Sequence, residues 1–219
     1  MPGRMARALR GFATLACLFL PGGCLPGSTA PPNVQYYALD YPAPAPSGAR
    51  LDAAIKIERF SVAQAYNSSA MIYRPKAYRL AAYNYHRWRN NPADLTTDCL
   101  IRDFRSSGSF RAVFSYSEGE NARFRINGAV EDFLESREGN EWKAILGLSA
   151  TLVDQGAPGA ASKVVFQKQY RAVEPIADRS PEAFASMMSK AMARLSAQII
   201  GDVAKATDER PGPTHRSLP

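Results

Sequence analysis

Residues 123–135 read RFRINGAVEDFLE. Phe124, Ile126, Val130 and Leu134 recur on one face, and Arg123, Arg125, Asn127 and Glu131 on the other. That period of two is the signature of a half-buried strand. Two more segments follow the same rule. Residues 142–153 put Trp142, Ala144, Leu146, Leu148 and Leu152 on one face. Residues 163–173 put Val164, Phe166, Tyr170 and Ala172 on one face, with Lys163, Gln167, Gln169 and Arg171 opposite. Turn-forming residues separate the three: REGN at 137–140 and QGAPGA at 155–160. This predicts an antiparallel meander with one face covered and the other largely wet.

Working outward, Ser180-Pro181-Glu182 opens a helix, with Ser180 as cap, Pro181 at the first position and Glu182 facing the positive end of the dipole. Phe184, Met187, Met188, Ala191, Leu195 and Ile199 form its apolar stripe. Asn91-Pro92 starts a second helix reaching about Ser107, with Leu95, Cys99, Ile101 and Phe104 inward and Gly108 as its stop. Towards the N-terminus, Tyr37, Leu39 and Tyr41 alternate. Ile55 and Ile57 alternate with Lys56 and Glu58. Residues 70–73 form a short strand closed by Pro75, and residues 78–88 an aromatic, basic strand. The expectation is a single α/β domain over residues 36–206: a mixed, largely antiparallel sheet with two main helices packed on it.

The first residues carry an address. Arg4, Arg7 and Arg10 precede an apolar run of about ten residues at 11–20, too short to cross a bilayer and of the length of a secretory h-region. Gly22 and Gly23 then precede Cys24, the arrangement of a bacterial lipobox. Residues 1–23 are thus read as a lipoprotein signal peptide and Cys24 as the lipidation site, although Pro21 stands where Leu or Val is usual. Cutting at Cys17 instead would split the apolar run. The alternative is an ordinary cleaved signal with no lipid on Cys24. Residues 24–35 form a Pro/Gly/Ser-rich tether and 207–219 a polar, Pro-rich tail expected to be disordered.

These readings change the meaning of the bulk figures. The 219 residues carry a formal charge of +7, but without residues 1–23 there remain 24 basic and 20 acidic side chains, a net of +4. Polyanion binding loses most of its case. Three cysteines make no disulfide framework, and Cys99 falls on the buried stripe of its helix.

Candidate chemistry is sparse. The two histidines are His86 and His215. A nucleophile pair of Cys99 and His86 has nothing to orient it. There is no CxxC, no GxxxxGK[ST] and no GxSxG. Glu131 and Asp132 are adjacent, and on a regular strand they point to opposite faces. No enzyme, cofactor or metal site is expected. Tyr78 to Arg89 mixes aromatic side chains with arginines, the residue types of protein–protein hot spots.

One ordered set of short motifs carries a resemblance: the lipobox and tether, Tyr36-Tyr37-x-Leu39, Ile55-x-Ile57, the loop with Tyr66, Met71-Ile72-Tyr73-Arg74, the run Tyr83, Tyr85 and Trp88, and Gly108-x-Phe110-x-x-Val113. In this order they resemble the ABC-type transport auxiliary lipoproteins, the PqiC-like family that accompanies MCE-domain transporters. The resemblance implies an anticodon-binding-domain-like sandwich and a non-enzymatic role. It implies a partnership with the MCE-domain protein of an ABC transporter, alongside its permease and ATPase, which moves lipids or other hydrophobic molecules across the bacterial envelope. It also implies attachment to the outer membrane by a lipid anchor, facing the periplasm, with no nucleic-acid partner and with a possible homo-oligomer. Two alternatives remain open: a lipoprotein carrier that binds a hydrophobic ligand itself, and a pilotin-like assembly factor for another outer-membrane machine.

Overall fold

The computed structural model describes residues 33–46, 48–156 and 161–210. The expected signal peptide, Cys24, all but the last residues of the expected tether, and residues 211–219 of the expected tail lie outside the described residues. In chain order the elements are β1 (Gln35–Tyr37), β2 (Leu51–Ile57), β3 (Ser61–Val62), a 3-10 turn (Gln64–Tyr66), β4 (Ala70–Lys76), β5 (Arg79–Trp88), α1 (Pro92–Ser106), β6 (Phe110–Ser115), β7 (Phe124–Glu138), β8 (Glu141–Asp154), β9 (Lys163–Ile176) and α2 (Pro181–Asp208).

The three alternating segments are β7, β8 and β9, and they pair antiparallel along their whole length. Their one-sided character is only partly retained. Val130 faces Leu148, whereas Asp132 faces Gly147, so Glu131 is an extra residue in a β-bulge. A bulge shifts the pleat by one. Beyond it Phe133 and Glu135 take the face that Phe124, Ile126 and Val130 hold before it, and Leu134 passes to the opposite face with Ile145. Leu134 and Ile145 are buried all the same, and Tyr66 of the 3-10 turn lies on their side, its hydroxyl 3.4 Å from Asp132. The bulge also overturns the expectation that Glu131 and Asp132 point apart. Glu131 meets Gln169 and Asp132 meets Arg171, two residues on the same face of β9.

The expectation of a largely antiparallel sheet is corrected. The pairs β1–β5, β2–β6, β2–β7, β3–β7 and β4–β7 are parallel, and only β4–β5, β7–β8 and β8–β9 are antiparallel. The cause lies in β7, whose 15 residues span far more than a typical strand of about 5–6. β8 fills one of its edges. The other edge is shared end to end: β2 pairs at residues 124–126, β3 at 129–130 and β4 at 135–136. Parallel neighbours need long crossovers, and α1 lies within the one that joins β2 to β6. The sheet therefore forks from β7 into a β2–β6 arm and a β4–β5–β1 arm.

Both helices start where the sequence places them. Asn91 accepts from the Ala93 amide and Ser180 from the Ala183 amide. α1 gives way to Gly108 at φ +63°, a conformation glycine adopts without strain, against Pro46. α1 packs on α2, and both reach β2. The stripe of α2 is wider than read, since Met192, Ile200 and Val203 are also buried. At the centre Trp88 is fully enclosed, edge-on to Phe133 at 5.1 Å and to Phe184 at 5.4 Å. One side chain thus ties β5, β7 and α2 together.

Two substitutions test this packing. Trp88→Ala is expected to lower stability by about 3–5 kcal/mol in denaturant unfolding. Trp88→Phe costs much less, because the indole Nε1 it removes has no hydrogen-bond partner. Gly128→Ala drives a methyl group into the Phe60 ring and the Ser149 carbonyl oxygen. It is expected to cost about 1–3 kcal/mol or more, and a variant as stable as the parent would contradict the close approach of Phe60 to β7.

Candidate docking surface

The aromatic segment 78–89 divides between core and surface. Trp88 is wholly buried and Tyr83 is half-buried, while Tyr78, Leu80 and Tyr85 are exposed. Tyr36 on the neighbouring β1 joins them at 63 % exposure. β1 covers the outer edge of β5 only at His86, Arg87 and Trp88. From Arg79 to Tyr85 no described strand pairs with that edge. Unpaired edge N–H and C=O groups are a template for an incoming strand. The free edge, with Tyr36 and Tyr85 beside it, forms the candidate docking surface.

β1 is held in place from both sides. The Tyr37 hydroxyl donates to Glu182 at 2.6 Å and lies 2.9 Å from His86 Nδ1. Burial and the neighbouring Glu182 push the Tyr37 hydroxyl up to about 12. The same hydrogen bond, helped by the backbone at the start of α2, holds the Glu182 carboxyl below its usual range. His86 is thus a bridge between β1 and β5, packed on Tyr37 and Tyr83. Cys99 is elsewhere, beside Tyr41 and Asp103, and burial pushes its thiol up. The structure does not bring the two together, and a thiol so shifted is a poor nucleophile.

Behind β5 lies an aromatic cluster. Tyr73 packs on Tyr83 at 4.9 Å and on Trp142 at 6.4 Å, and Arg179 covers Trp142 at 4.0 Å. Beneath it is Glu135, fully buried by the pleat shift at the bulge, with Oε2 accepting from Tyr83 at 2.7 Å and Oε1 unpartnered. Burial pushes this carboxyl above the usual range, against the opposing pull of Tyr83 and Arg179. Sequence reading missed this residue, because its burial depends on the bulge.

The acids Glu131 and Asp132 share a face but not a task, since Arg171 and Tyr66 engage Asp132. Among the described residues no group of His, Cys, Asp and Glu has the geometry to hold a metal, and no helix is long and apolar enough to cross a membrane. A groove of about 540 Å³ between β9 and α2 is lined by Lys168, Gln169, Tyr170, Gln198 and Asp202. Ala197 and Gly201 complete a lining that mixes polar and apolar surface.

Because the folded state raises the Glu135 pKa, it binds the proton more tightly than the unfolded chain does. The Glu135 contribution to stability is therefore expected to fall as pH rises from the ordinary carboxylate range through the folded pKa, against the opposite contribution of lowered carboxyls such as Glu182 and Asp154. Glu135→Gln is expected to remove that contribution, so that its stability gains on the parent's as pH rises and exceeds it at neutral pH. Urea unfolding across that range checks it; an unchanged slope would contradict the account.

Comparison with known proteins agrees with this architecture. Protein XCC0632 from Xanthomonas campestris superposes with a TM-score of 0.72 at 19 % identity, over 80 % of this chain and 98 % of that one. Protein CT253 from Chlamydia trachomatis gives 0.53 at 9 % identity, over 73 % and 99 %. At these identities the likeness shows the fold alone. No curated protein matches the sequence. The model of the family described as ABC-type transport auxiliary lipoprotein component matches residues 37–200. An auxiliary transport component points to a role without catalysis, which fits a surface built of aromatic side chains and a free strand edge. The chain belongs to the ABC-type transport auxiliary lipoprotein component family.

Proposed function

We propose that this auxiliary lipoprotein serves an MCE-type ABC transport system for lipids or other hydrophobic molecules. Lipidated at Cys24, it docks the periplasmic MCE assembly at the outer membrane. The reading rests on family membership together with one structural observation, the unpaired outer edge of β5 between Arg79 and Tyr85 with exposed Tyr36 and Tyr85 alongside. Exposed aromatic side chains beside open backbone groups suit a partner that adds a strand and seats its own apolar side chains against them. Two other edges are free: that of β9 carries Lys163, Lys168, Arg171 and Pro175, which discourage such pairing, and that of β6, which pairs only with β2, carries Arg111.

The first test is co-purification in mild detergent of the full chain with its MCE-domain partner. The parent is expected to retain the partner. Tyr36→Ala and Tyr85→Ala are each expected to weaken retention about fivefold or more, a loss of about 1 kcal/mol that only a minority of interface residues reach. No association with an intact partner would sink the docking role. The anchor is tested separately: Cys24→Ala is expected to release the protein from the membrane fraction and to abolish lipid labelling. Unchanged membrane association, with no lipid on the parent, would sink the lipobox reading.

A further inference from the structure

Two turns share one end of the sheet. β4 runs parallel to β7 with Arg74 opposite Ser136, so the β4–β5 turn at Ala77-Tyr78 and the β7–β8 turn at Gly139-Asn140 share that end. β1 runs parallel to β5 with Gln35 opposite His86. Moving back along the chain from Gln35 is therefore moving towards the start of β5 and its turn.

That turn displays Tyr78 wholly in solvent, with Leu80 at 45 % exposure beside it. Tyr78 has φ +63° and is the only non-glycine residue at positive φ among the described residues. An aromatic L-residue is strained there. The positive φ closes the two-residue turn between the paired Lys76 and Arg79, but the full exposure of an aromatic ring there gives the fold no packing.

The charges at this end are unbalanced. Elsewhere several arginines and lysines are taken by acids, as in Arg105–Glu118, Arg111–Asp52, Arg123–Asp154 and Arg125–Glu58. Arg74, Lys76 and Arg79 enter no ion pair among the described residues, and Arg137 bonds only to the Gly139 carbonyl and the Asn140 amide oxygen. The acids present, Glu138 and Glu141, are both held by Lys143. Arg74, Arg79 and Arg137 line a groove of about 610 Å³ together with the single acid Glu138, with Tyr78 and Leu80 on its apolar side.

We propose that this tip seats on the anionic phospholipid surface of the membrane that carries the anchor, giving the lipoprotein a second contact and one fixed orientation. Guanidinium groups pair with phosphate oxygens in a bidentate fork, and tyrosine settles at the headgroup level of a bilayer. The acyl chains on Cys24 hold the chain at the membrane, and the basic tip fixes how the domain stands on it. The length argument rests on the proposed lipidation of Cys24. From Cys24 back-to-back residues to Gln35 span up to roughly 40 Å, while the tip lies roughly 23 Å along β5 from His86. The tether is thus long enough to let the tip touch and too short to carry the domain far away. The β5 edge, running up from the tip, is left facing the partner.

The test uses the full chain with an environment-sensitive fluorophore on Ala77→Cys, which keeps Tyr78. Gly119→Cys, in the loop between β6 and β7 where an added side chain meets open space, is the control. Labelled chains are mixed with phosphatidylcholine vesicles with or without phosphatidylglycerol. The probe at 77 is expected to shift to the blue and to be quenched by spin-labelled lipid only where phosphatidylglycerol is present, and to return to its aqueous signal at high salt. The probe at 119 stays aqueous. Arg74→Glu with Arg79→Glu is expected to weaken the phosphatidylglycerol-dependent contact read by the probe at 77 tenfold or more while the chain stays on the vesicles, since each basic residue near an anionic surface is worth roughly fivefold. Tyr78→Gly is expected to weaken it as well while melting no lower than the parent, which separates binding from folding.

Equal behaviour of the two probes, or an aqueous probe at 77 on vesicles that carry the chain, would overturn the proposal. So would a blue shift produced by the MCE-domain partner and not by vesicles, which would assign the tip to protein. The mass of the chain reports lipidation independently. An unlipidated chain whose probe at 77 still shifts upholds the tip and sinks the Cys24 reading. A lipidated chain whose probe stays aqueous does the reverse.

Discussion

The β-bulge at Glu131 governs the arrangement of the molecule. Before it, β7 presents Phe124, Ile126 and Val130 to the helices; after it, Phe133 takes over that face and meets Trp88. A regular strand would have sent Phe133 to the other side and left Trp88 without its partner. The same shift buries Glu135 beneath Tyr83 and moves Leu134 to the far face. Bulges bend a strand and strengthen its twist. The bulge falls between the part of β7 that pairs with β2 and the part that pairs with β4, where the sheet forks into its two arms.

The fork leaves an outer edge on each arm, on β6 and along β5. The β2–β6 arm lies against α1, and the β7–β8–β9 meander lies under α2. The β4–β5–β1 arm keeps its outer edge open beyond the three residues of β1. Its inner side is fixed by Trp88, by the Tyr73, Tyr83 and Trp142 cluster, and by the Tyr37 bridge to His86 and Glu182. A surface that must meet a partner is best carried on a rigid support, and this one is supported by packed aromatic rings rather than by a mobile loop.

Much of the framework was legible in the sequence. Asn91-Pro92 and Ser180-Pro181 marked both helix starts because capping chemistry is local. The meander was legible because alternation and turn residues agree over three segments. Strand direction was not, since alternation encodes which side chains face inward and says nothing of which neighbour runs parallel. The break of period between Val130 and Phe133 was present as a signal, three residues apart in an otherwise two-residue rhythm, and it marks the bulge. β6 escaped because FRAVFS mixes its apolar and polar positions. The surface reading of residues 78–89 was half right in physical terms: Trp88 belongs to the core, and Tyr85 and Tyr78 to the exterior. The positive φ of Tyr78 had no local signal, since no glycine or asparagine occupies that position.

The central claim is that the β1–β5 edge is where this lipoprotein meets its transport partner. Hydrogen exchange of the membrane-anchored protein, with and without the MCE-domain partner, tests it most directly. The account predicts slowed exchange in residues 35–37 and 79–87 when the partner is added, with β9 and α2 unchanged. Protection confined to β9 or α2, with β5 exchanging as before, would contradict it.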